Sequence, residues 1–393
     1  MIFSCIYVLS VNPIWNWGIG HRMANKSLSP YIGTFQTKTN QAFGVRFVTK
    51  TDTKSISDIM TDAYGYEYLY PKVYDEEKLK DTIADKNQMW ILAESIDDHE
   101  PVGFGVAEKR NDYSIYVGKL ALKNRFRHQG LAQNLGANSF LALLKNPEFN
   151  TILRIDSDVR ANQYNSMMMA KALGQFPYAF VPNFNCYGDK RSFHPEYGIP
   201  YSEGRLESAV LFVGPMNQFW KVRDRNVHLL GNKKILNIYQ MVQKIAHRMK
   251  KDELSIINKA ELELEQYHIA RDYYKGVVDI EGYLKETTLD HLLDEYIEWN
   301  VVEWRIPVTR EGLFSQKLAL ENHFIVTGYD PGSHKDNNVL RDTLVMCKFP
   351  RGVDKDQFRG MHLTEPAKPL AINVFEQLNR KKDTKITIMS LIQ

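Results

Sequence analysis

A short loop between a strand and a long apolar helix is the segment of this sequence best suited to chemistry. It lies within Leu120–Ala132 (LALKNRFRHQGLA) and contains one glycine, Gly130, and a basic residue, Arg127. At a helix N-terminus the first backbone N–H groups have no partner inside the helix, and the helix dipole favours negative charge there. Gly130 lets a ligand approach the backbone closely, and Arg127 adds positive charge. The loop is therefore predicted to bind an anion such as a pyrophosphate.

At this loop the sequence resembles the GNAT superfamily of acyl-CoA N-acyltransferases. Residues 127–132 (RHQGLA) match the family signature R/Q-x-x-G-x-G/A in the expected strand–loop–helix context. The resemblance covers residues 45–213. It implies acetyl-CoA or another acyl-CoA as co-substrate, with its pyrophosphate held by the amides of the loop. The alternative is a plain strand–helix turn that binds no ligand.

The same resemblance implies which residues bind the cofactor. Two strand residues would pair through their backbone with the pantetheine arm, the loop would hold the pyrophosphate, and a polar side chain would contact the cofactor: Leu120, Leu122, Arg127, His128, Gln129, Gly130, Leu131, Ala132 and Asn162. For Asn162, and for Gln163 beside it, the alternative is a plain N-cap or turn residue. A splay between the strands 113–122 and 151–156 would admit the acyl thioester.

The chemistry implied is the attack of an amine on a thioester. A substrate ammonium has a pKa of roughly 10 and must first lose a proton, so a basic group is useful. Backbone N–H groups of the splayed strand would stabilise the oxyanion. The catalytic candidates are Glu108 and Tyr116, and Tyr116 occupies the strand position where several family members carry a base glutamate. Ala170 stands where a general-acid tyrosine is often found. Glu94 and Glu207 are the remaining carboxylates, and for all three glutamates the alternative is a surface or structural role.

The elements that must position these residues follow a mixed α/β order. Apolar periodicity predicts the order β-α-α-β-β-β-α-β-α. The strands are expected at Val45–Thr49, Met89–Glu94, Val102–Glu108, Tyr113–Leu122 and Thr151–Asp156, and the helices after Asp52, near Asp75–Asp85, after Gly130 and at Gln163–Leu173. The fold class expected is α/β with a mixed sheet. The resemblance implies an acyl-CoA N-acyltransferase-like fold in two tandem domains.

Two further stretches are predicted to form the acceptor pocket. Five tyrosines lie within residues 64–74, where Gly65 and Pro71 favour a loop over a strand. Residues 177–206, rich in Pro, Asn, Tyr and Gly, are expected to lack regular structure, and stretches of this length are often lids or binding loops.

The two halves of the sequence share a pattern. The segments ILRIDSD, NSMMMAKALG, YAFV and ESAVLF are followed later by VVEWRIPV, FSQKLALENHF, IVTGY and DTLVMC, and Ser166 and Ser315 stand in equivalent positions. A duplication predicts a degenerate GNAT-like second half that lacks the glycine loop. The alternative is a chance likeness of two β-α-β-β units. The second half is expected to have strands at 268–280, 301–308, 324–329 and 342–349, and helices at 288–298, 311–322 and near 370–380.

The predicted organisation has four parts. They are a poorly structured leader (1–40), an acyltransferase domain (41–215), a helical linker (216–264) and a degenerate C-terminal domain (265–393). The apolar run 2–11 is short for a membrane span and has no basic residues before it, and Met23 offers a cytosolic-type start. Secretion is the alternative.

Composition narrows the partners and the location. The 393 residues carry a net charge of +3, which argues against nucleic acid or a membrane surface as the principal partner. Three distant cysteines without a CxxC pair and eleven scattered histidines without HExxH indicate a reducing, cytoplasmic location and no metal. The predicted function is acyl-CoA-dependent N-acyl transfer, with acetyl as the expected group, to a small-molecule amine. The alternatives are a non-catalytic acyl-CoA-binding sensor or scaffold, and other thioester chemistry on the same fold.

Overall fold

The computed structural model describes residues 30–37, 39–246, 252–260 and 262–379. The apolar run 2–11 and Met23 lie outside the described residues, so the predictions made for them stay predictions. Gly33–Gln36 (β1) pairs antiparallel with Ala42–Phe47 (β2). The sheet therefore begins inside the range 1–40 that the sequence assigns to a leader.

The first half of the chain forms a mixed sheet with helices. Beyond β2 it contains α1 (Thr53–Tyr64), α2 (Glu76–Ala84), β3 (Gln88–Ser95), β4 (Pro101–Lys109), β5 (Ser114–Leu122), α3 (Leu131–Lys145), β6 (Arg154–Arg160), α4 (Tyr164–Ala172), β7 (Phe176–Tyr187) and β8 (Arg205–Pro215). The strands are ordered β1-β2-β3-β4-β5-β6-β8-β7. Strands β5 and β6 run parallel, and the other neighbours in this order run antiparallel. The predicted mixed α/β sheet is confirmed.

The second half repeats part of this order. It contains α5 (Phe219–Val222), β9 (Asn226–Leu230), α6 (Lys233–Ala246), β10 (Glu253–Ile257), β11 (Gln266–Asp272), β12 (Val277–Tyr283), α7 (Glu286–Glu295), β13 (Val301–Pro307), α8 (Gly312–Glu321), β14 (Ile325–Asp336), β15 (Val339–Lys348) and α9 (Lys368–Leu378). From β12 to β15 the order β-α-β-α-β-β matches the order from β5 to β8. The strands β9 and β10 form a separate parallel pair.

One sheet joins the two halves. Its order continues as β7-β14-β15-β13-β12-β11, and β7 meets β14 at the pair Ala179↔Gly328. A Cβ on Gly328 would lie 2.3 Å from that of Ala179, so this close approach requires glycine. Helix α6, which the sequence places in a linker, packs Ile235, Ile238 and Val242 into a core shared by both halves.

Two predictions of local structure are wrong. Residues 177–187 belong to β7 rather than to a structureless stretch, and two of the prolines that suggested a loop, Pro177 and Pro182, lie at irregularities in the register of β7 with β8. Proline is tolerated at such bulges because the ladder hydrogen bond is already interrupted there. The strand expected at 268–280 is instead the hairpin β11–β12, whose turn ends at Gly276 with φ of +68°.

Helices cover both faces of the sheet in the first half. Ile56 and Ile59 of α1 and Leu79 of α2 pack on one face, and Leu131 and Leu135 of α3 pack on the other. Their spacing of three or four residues gives each helix one apolar side. These layers hold β5 and β6, on which the candidate site is built, between them.

Candidate active site

Strands β5 and β6 separate along their length. Their parallel pairing runs from Ser114↔Arg154 to Tyr116↔Asp156. Beyond that point β5 continues to Leu122 and β6 to Arg160. The two strands therefore open a cleft at their carboxyl ends, as the resemblance implied.

A bulge in β5 lies beside this cleft. The register with β4 passes from Val106↔Gly118 to Phe104↔Ala121, and Lys119 takes φ of +53°. A bulge releases backbone groups from the ladder. At this position they are suited to stabilising the oxyanion of a thioester under attack.

The predicted anion loop joins β5 to α3. Gly130 is the N-cap of α3 with φ of +83°, and within the described residues no side chain caps this helix. His128 also has positive φ, at +64°, and the Arg127 guanidinium donates to the carbonyl of Ala63 at 3.3 Å. The first N–H groups of α3 are thus left for a ligand, and the loop has the chemistry that a pyrophosphate requires.

Other residues assigned to the cofactor lie near this loop or at the end of β6. Gln129 donates from Nε2 to the carbonyl of Arg125 at 3.1 Å, while its Oε1 is buried without a donor in the described part of the chain. A buried acceptor of this kind favours a ligand that brings an N–H group. Leu122 pairs with Gly103 of β4, and Asn162 is exposed just after β6.

A polar cluster occupies the base of the cleft, and sequence reasoning missed most of it. The Tyr116 hydroxyl donates to Oδ1 of Asp158, and Lys275 Nζ, from the second half, lies 2.5 Å from Oδ2. The Arg110 guanidinium lies 4.5 Å above the ring of Tyr116. The sequence could have indicated Asp158, because every second residue of β6 is charged and such residues lie on one face of a strand: Arg154, Asp156, Asp158 and Arg160.

The protonation of this cluster follows from its contacts. Burial alone would raise the pKa of Asp158, but the charge and hydrogen bond of Lys275, with the bond from Tyr116, bring that pKa below its ordinary value. Burial and the neighbouring Asp158 raise the pKa of Tyr116 well above its usual value. At neutral pH the pair is therefore a carboxylate and a neutral phenol.

The three glutamates considered from the sequence all form ion pairs. Glu108 lies opposite Tyr116 in the β4–β5 register and 3.1 Å from Lys119 Nζ. Burial opposes ionisation of Glu108, but Lys119 outweighs it and lowers the pKa. Glu94 is bound by Arg46 at 2.8 Å, and Glu207 by Arg160 at 2.7 Å. Asp158 is ion-paired as well, but of these four carboxylates it is the one on the splayed strand β6 that accepts a hydrogen bond from Tyr116. That position favours it over the glutamates as the group that acts at the cleft.

Three segments meet around one cavity. A cavity of about 350 Å³ is lined by residues 70–72, Pro195 and residues 271–274. The tyrosine-rich segment and the β7–β8 connection both line this cavity, and its use as an acceptor pocket stays a prediction. The turn of the β11–β12 hairpin, which the sequence did not reveal, supplies the third wall.

The comparisons with known proteins find similarity at the level of structure. No protein-family model matches the chain, and the search of curated proteins finds no match. A ribosomal-protein alanine N-acetyltransferase from Escherichia coli is 15% identical, with a TM-score of 0.33, over 44% of this chain and 94% of that one. A spermidine/spermine N-acetyltransferase from Vibrio cholerae is 13% identical, with a TM-score of 0.34, over 46% and 96%. NAA60 from Arabidopsis thaliana is 15% identical, with a TM-score of 0.34, over 44% and 98%.

These neighbours are acetyltransferases of the GNAT fold. In this chain β5 and β6 splay apart, β5 carries a bulge, and an uncapped helix follows it. The first half thus has the mixed-sheet topology that the resemblance of residues 127–132 implied. Within the described ranges, no helix is long and apolar enough to cross a bilayer, and no group of three or more His, Cys, Asp or Glu side chains is arranged to hold a metal ion.

Proposed function

We propose that the protein is an acyl-CoA-dependent N-acyltransferase that transfers an acyl group, with acetyl the expected one, to the amine of a small molecule. The observation that carries this proposal is the cleft between β5 and β6. It has an uncapped helix N-terminus at one end and the Tyr116–Asp158 pair at its base. An anion-binding loop and a proton acceptor beside a strand bulge are the parts that aminolysis of a thioester needs.

In this proposal the cofactor is bound mainly by backbone. The loop from Arg127 to Gly130 and the first turn of α3 receive the pyrophosphate, and Arg127 adds a positive charge. The pantetheine arm lies along the open edge of β5 as an added strand. The thioester then reaches the bulge at Lys119, where freed backbone groups face the developing oxyanion.

The acceptor enters between the tyrosine-rich segment and the hairpin turn. Its ammonium passes a proton to the Tyr116 oxygen as the Tyr116 proton moves to Asp158. The free amine attacks the thioester carbonyl carbon and the carbon–sulfur bond breaks. The attacking nitrogen loses its second proton as the amide forms, and the departing CoA thiolate takes up that proton. Arg110, over the Tyr116 ring, and Lys275, bound to Asp158, are both cationic, so they favour release of this proton from Asp158 to solvent after the transfer.

Isothermal titration with acetyl-CoA tests the binding half of the proposal. Gly130→Glu places a carboxylate at the proposed pyrophosphate site, so the affinity should fall by at least about tenfold. Gly174→Glu is the matched control, because Gly174 also has positive φ, at +81°, with open space around it, but ends α4 instead. Absence of binding by the wild type, or equal effects of the two variants, would overturn the assignment.

Thiol release across a panel of small amines tests the catalytic half. Release of CoA that depends on the amine, with a mass increase of the amine by one acyl group, is the expected result. Tight binding of acetyl-CoA with no thiol release would instead identify an acyl-CoA sensor without turnover.

A further inference from the structure

We propose that the hairpin turn Asp272–Gly276 of the second half is a working part of the acceptor site, with Lys275 as a positioning residue for Asp158. This inference rests on the proposed function. It gives the second half a defined role, since that half contributes side chains to a reaction that takes place in the cleft of the first half.

The turn is held rigidly by its own contacts. Asp272 Oδ1 accepts from the backbone N–H groups of Tyr274 at 3.1 Å and of Lys275 at 3.0 Å. The N–H of Gly276 donates to the carbonyl of Asp272 at 2.8 Å, and Asn300 Nδ2 donates to the carbonyl of Lys275 at 3.0 Å. A turn fixed at this many points presents its side chains in one arrangement.

The turn is also bound to both acceptor segments of the first half. The Tyr70 hydroxyl donates to Oδ2 of Asp272 at 2.6 Å, and the N–H of Tyr201 donates to the carbonyl of Tyr273 at 2.8 Å. The ring of Tyr274 lies 5.8 Å from that of Tyr70 and 5.6 Å from that of Phe193. The three segments therefore form one wall, and a change in the turn changes the shape of the acceptor pocket.

Lys275 reaches from this turn into the base of the cleft. Its Nζ lies 2.5 Å from Asp158 Oδ2 and 4.4 Å above the ring of Phe184, and the side chains of Lys275 and Asp158 are 9% and 15% exposed. A carboxylate so far from solvent requires a partner to stay ionised. Lys275 binds Oδ2 of Asp158, and Tyr116 donates to Oδ1. The bond from Lys275 therefore orients the carboxylate so that its other oxygen faces the tyrosine.

The groups that act electrostatically on Asp158 come from several elements. They are Arg110 at the end of β4, Tyr116 of β5, Tyr187 of β7, Tyr68 and Tyr70 of the tyrosine-rich segment, and Lys275. Two of these six groups are cationic, and Lys275 is the one bonded to the carboxylate. Loss of Lys275 therefore leaves burial to dominate, and Asp158 should take up a proton at higher pH.

Kinetics of Lys275→Met and Lys275→Arg, with acetyl-CoA and an amine that the wild type acylates, test the inference. In Lys275→Met we expect the Kd of acetyl-CoA to stay within about twofold, kcat to fall at least about tenfold, and the acid limb of kcat to move up by about one pH unit or more. Lys275→Arg retains the charge and should recover most of kcat and the wild-type pH profile. A Lys275→Met enzyme with unchanged kcat and pH profile would overturn the inference.

Two further measurements separate this inference from the proposed function and from misfolding. The thermal unfolding midpoint of Lys275→Met should approach that of the wild type at acidic pH, where Asp158 is protonated, and fall below it as the pH rises. A deficit that is the same at every pH would indicate general damage and contradict the specific role of Lys275. If the wild type does not bind acetyl-CoA, the proposed function itself is overturned. The unfolding measurement uses no acetyl-CoA, so it tests the Lys275–Asp158 pair separately from that function.

Discussion

The cleft between β5 and β6 has a counterpart between β12 and β13, and the two are built differently. In the first half the parallel pairing ends at Tyr116↔Asp156, whereas in the second half it continues past the equivalent pair, Asp279↔Glu303, to Glu281↔Arg305. The strand-to-helix connection runs over residues 123–130 in the first half and over residues 284–285 in the second. The second half therefore keeps the strand order without the opening or the loop.

Charged side chains fill the space that a cleft would need in the second half. Arg305, at the position equivalent to Asp158, binds Glu303 at 2.5 Å and Asp330 at 2.7 Å. Glu286 also places a negative charge in the first turn of α7, where an anion would otherwise bind. A shared strand order is therefore not enough for a cofactor site, since the strands must diverge and the helix N-terminus must be free.

The largest expected effect distinguishes the open cleft of the first half from the closed β12–β13 pair of the second, by substitution of one carboxylate in each. Asp158→Asn should lower kcat for acyl transfer by about 100-fold, because the proton acceptor behind Tyr116 is lost, while the Kd of acetyl-CoA stays unchanged. Asp279→Asn, at the position equivalent to Tyr116 in the second half, should leave kcat within about twofold of the wild type. Steady-state kinetics and titration calorimetry measure both. Equal losses in the two variants would mean that catalysis does not reside in the first cleft.

A smaller effect concerns the pH dependence of stability in the second half. Burial raises the pKa of Glu303 to about 7, above its value in an unfolded chain. The folded state therefore binds more protons than the unfolded state between about pH 4.5 and 7, so this group makes the protein less stable as the pH rises through that range. Between pH 5 and pH 7.5 the free energy of unfolding of the wild type should therefore change by up to about 2 kcal/mol more than that of Glu303→Gln, as measured by urea unfolding at the two pH values. A variant with the wild-type slope would contradict the assignment.

Prediction from the sequence was most accurate for structure that depends on residues close together in the chain. The loop of residues 127–132 and the helix after it were found because their signals are local, namely one glycine and an apolar helical period. The prolines in β7 suggested a loop, because the register irregularities that accommodate them depend on β8. Residues 177–187 are therefore a strand because they pair with β8, which their own sequence does not reveal.

The candidate site was predicted in part for the same reason. Tyr116 was selected through its strand position, but Asp158 was not, although the alternating charges of β6 marked one polar face. Lys275, which binds the Asp158 carboxylate, is 117 residues away in sequence. Prediction from the sequence missed the turn that contains Lys275, because a single strand was expected over 268–280. Asp272 and Gly276, which form the turn, lie within that range.

The smallest expected effect compares the two equivalent serines. Ser315 is buried, and its Oγ accepts from the N–H of Leu284 at 3.2 Å, which fixes the short connection between β12 and α7. The Ser166 hydroxyl, at the surface of α4, donates to Oε1 of Gln163 at 3.3 Å. Ser315→Ala should therefore lower the free energy of unfolding by about 1–2 kcal/mol, because a buried N–H loses its acceptor, and Ser166→Ala by less than about 0.5 kcal/mol. Urea unfolding of both variants measures the difference, and equal values would show that the short connection does not depend on Ser315.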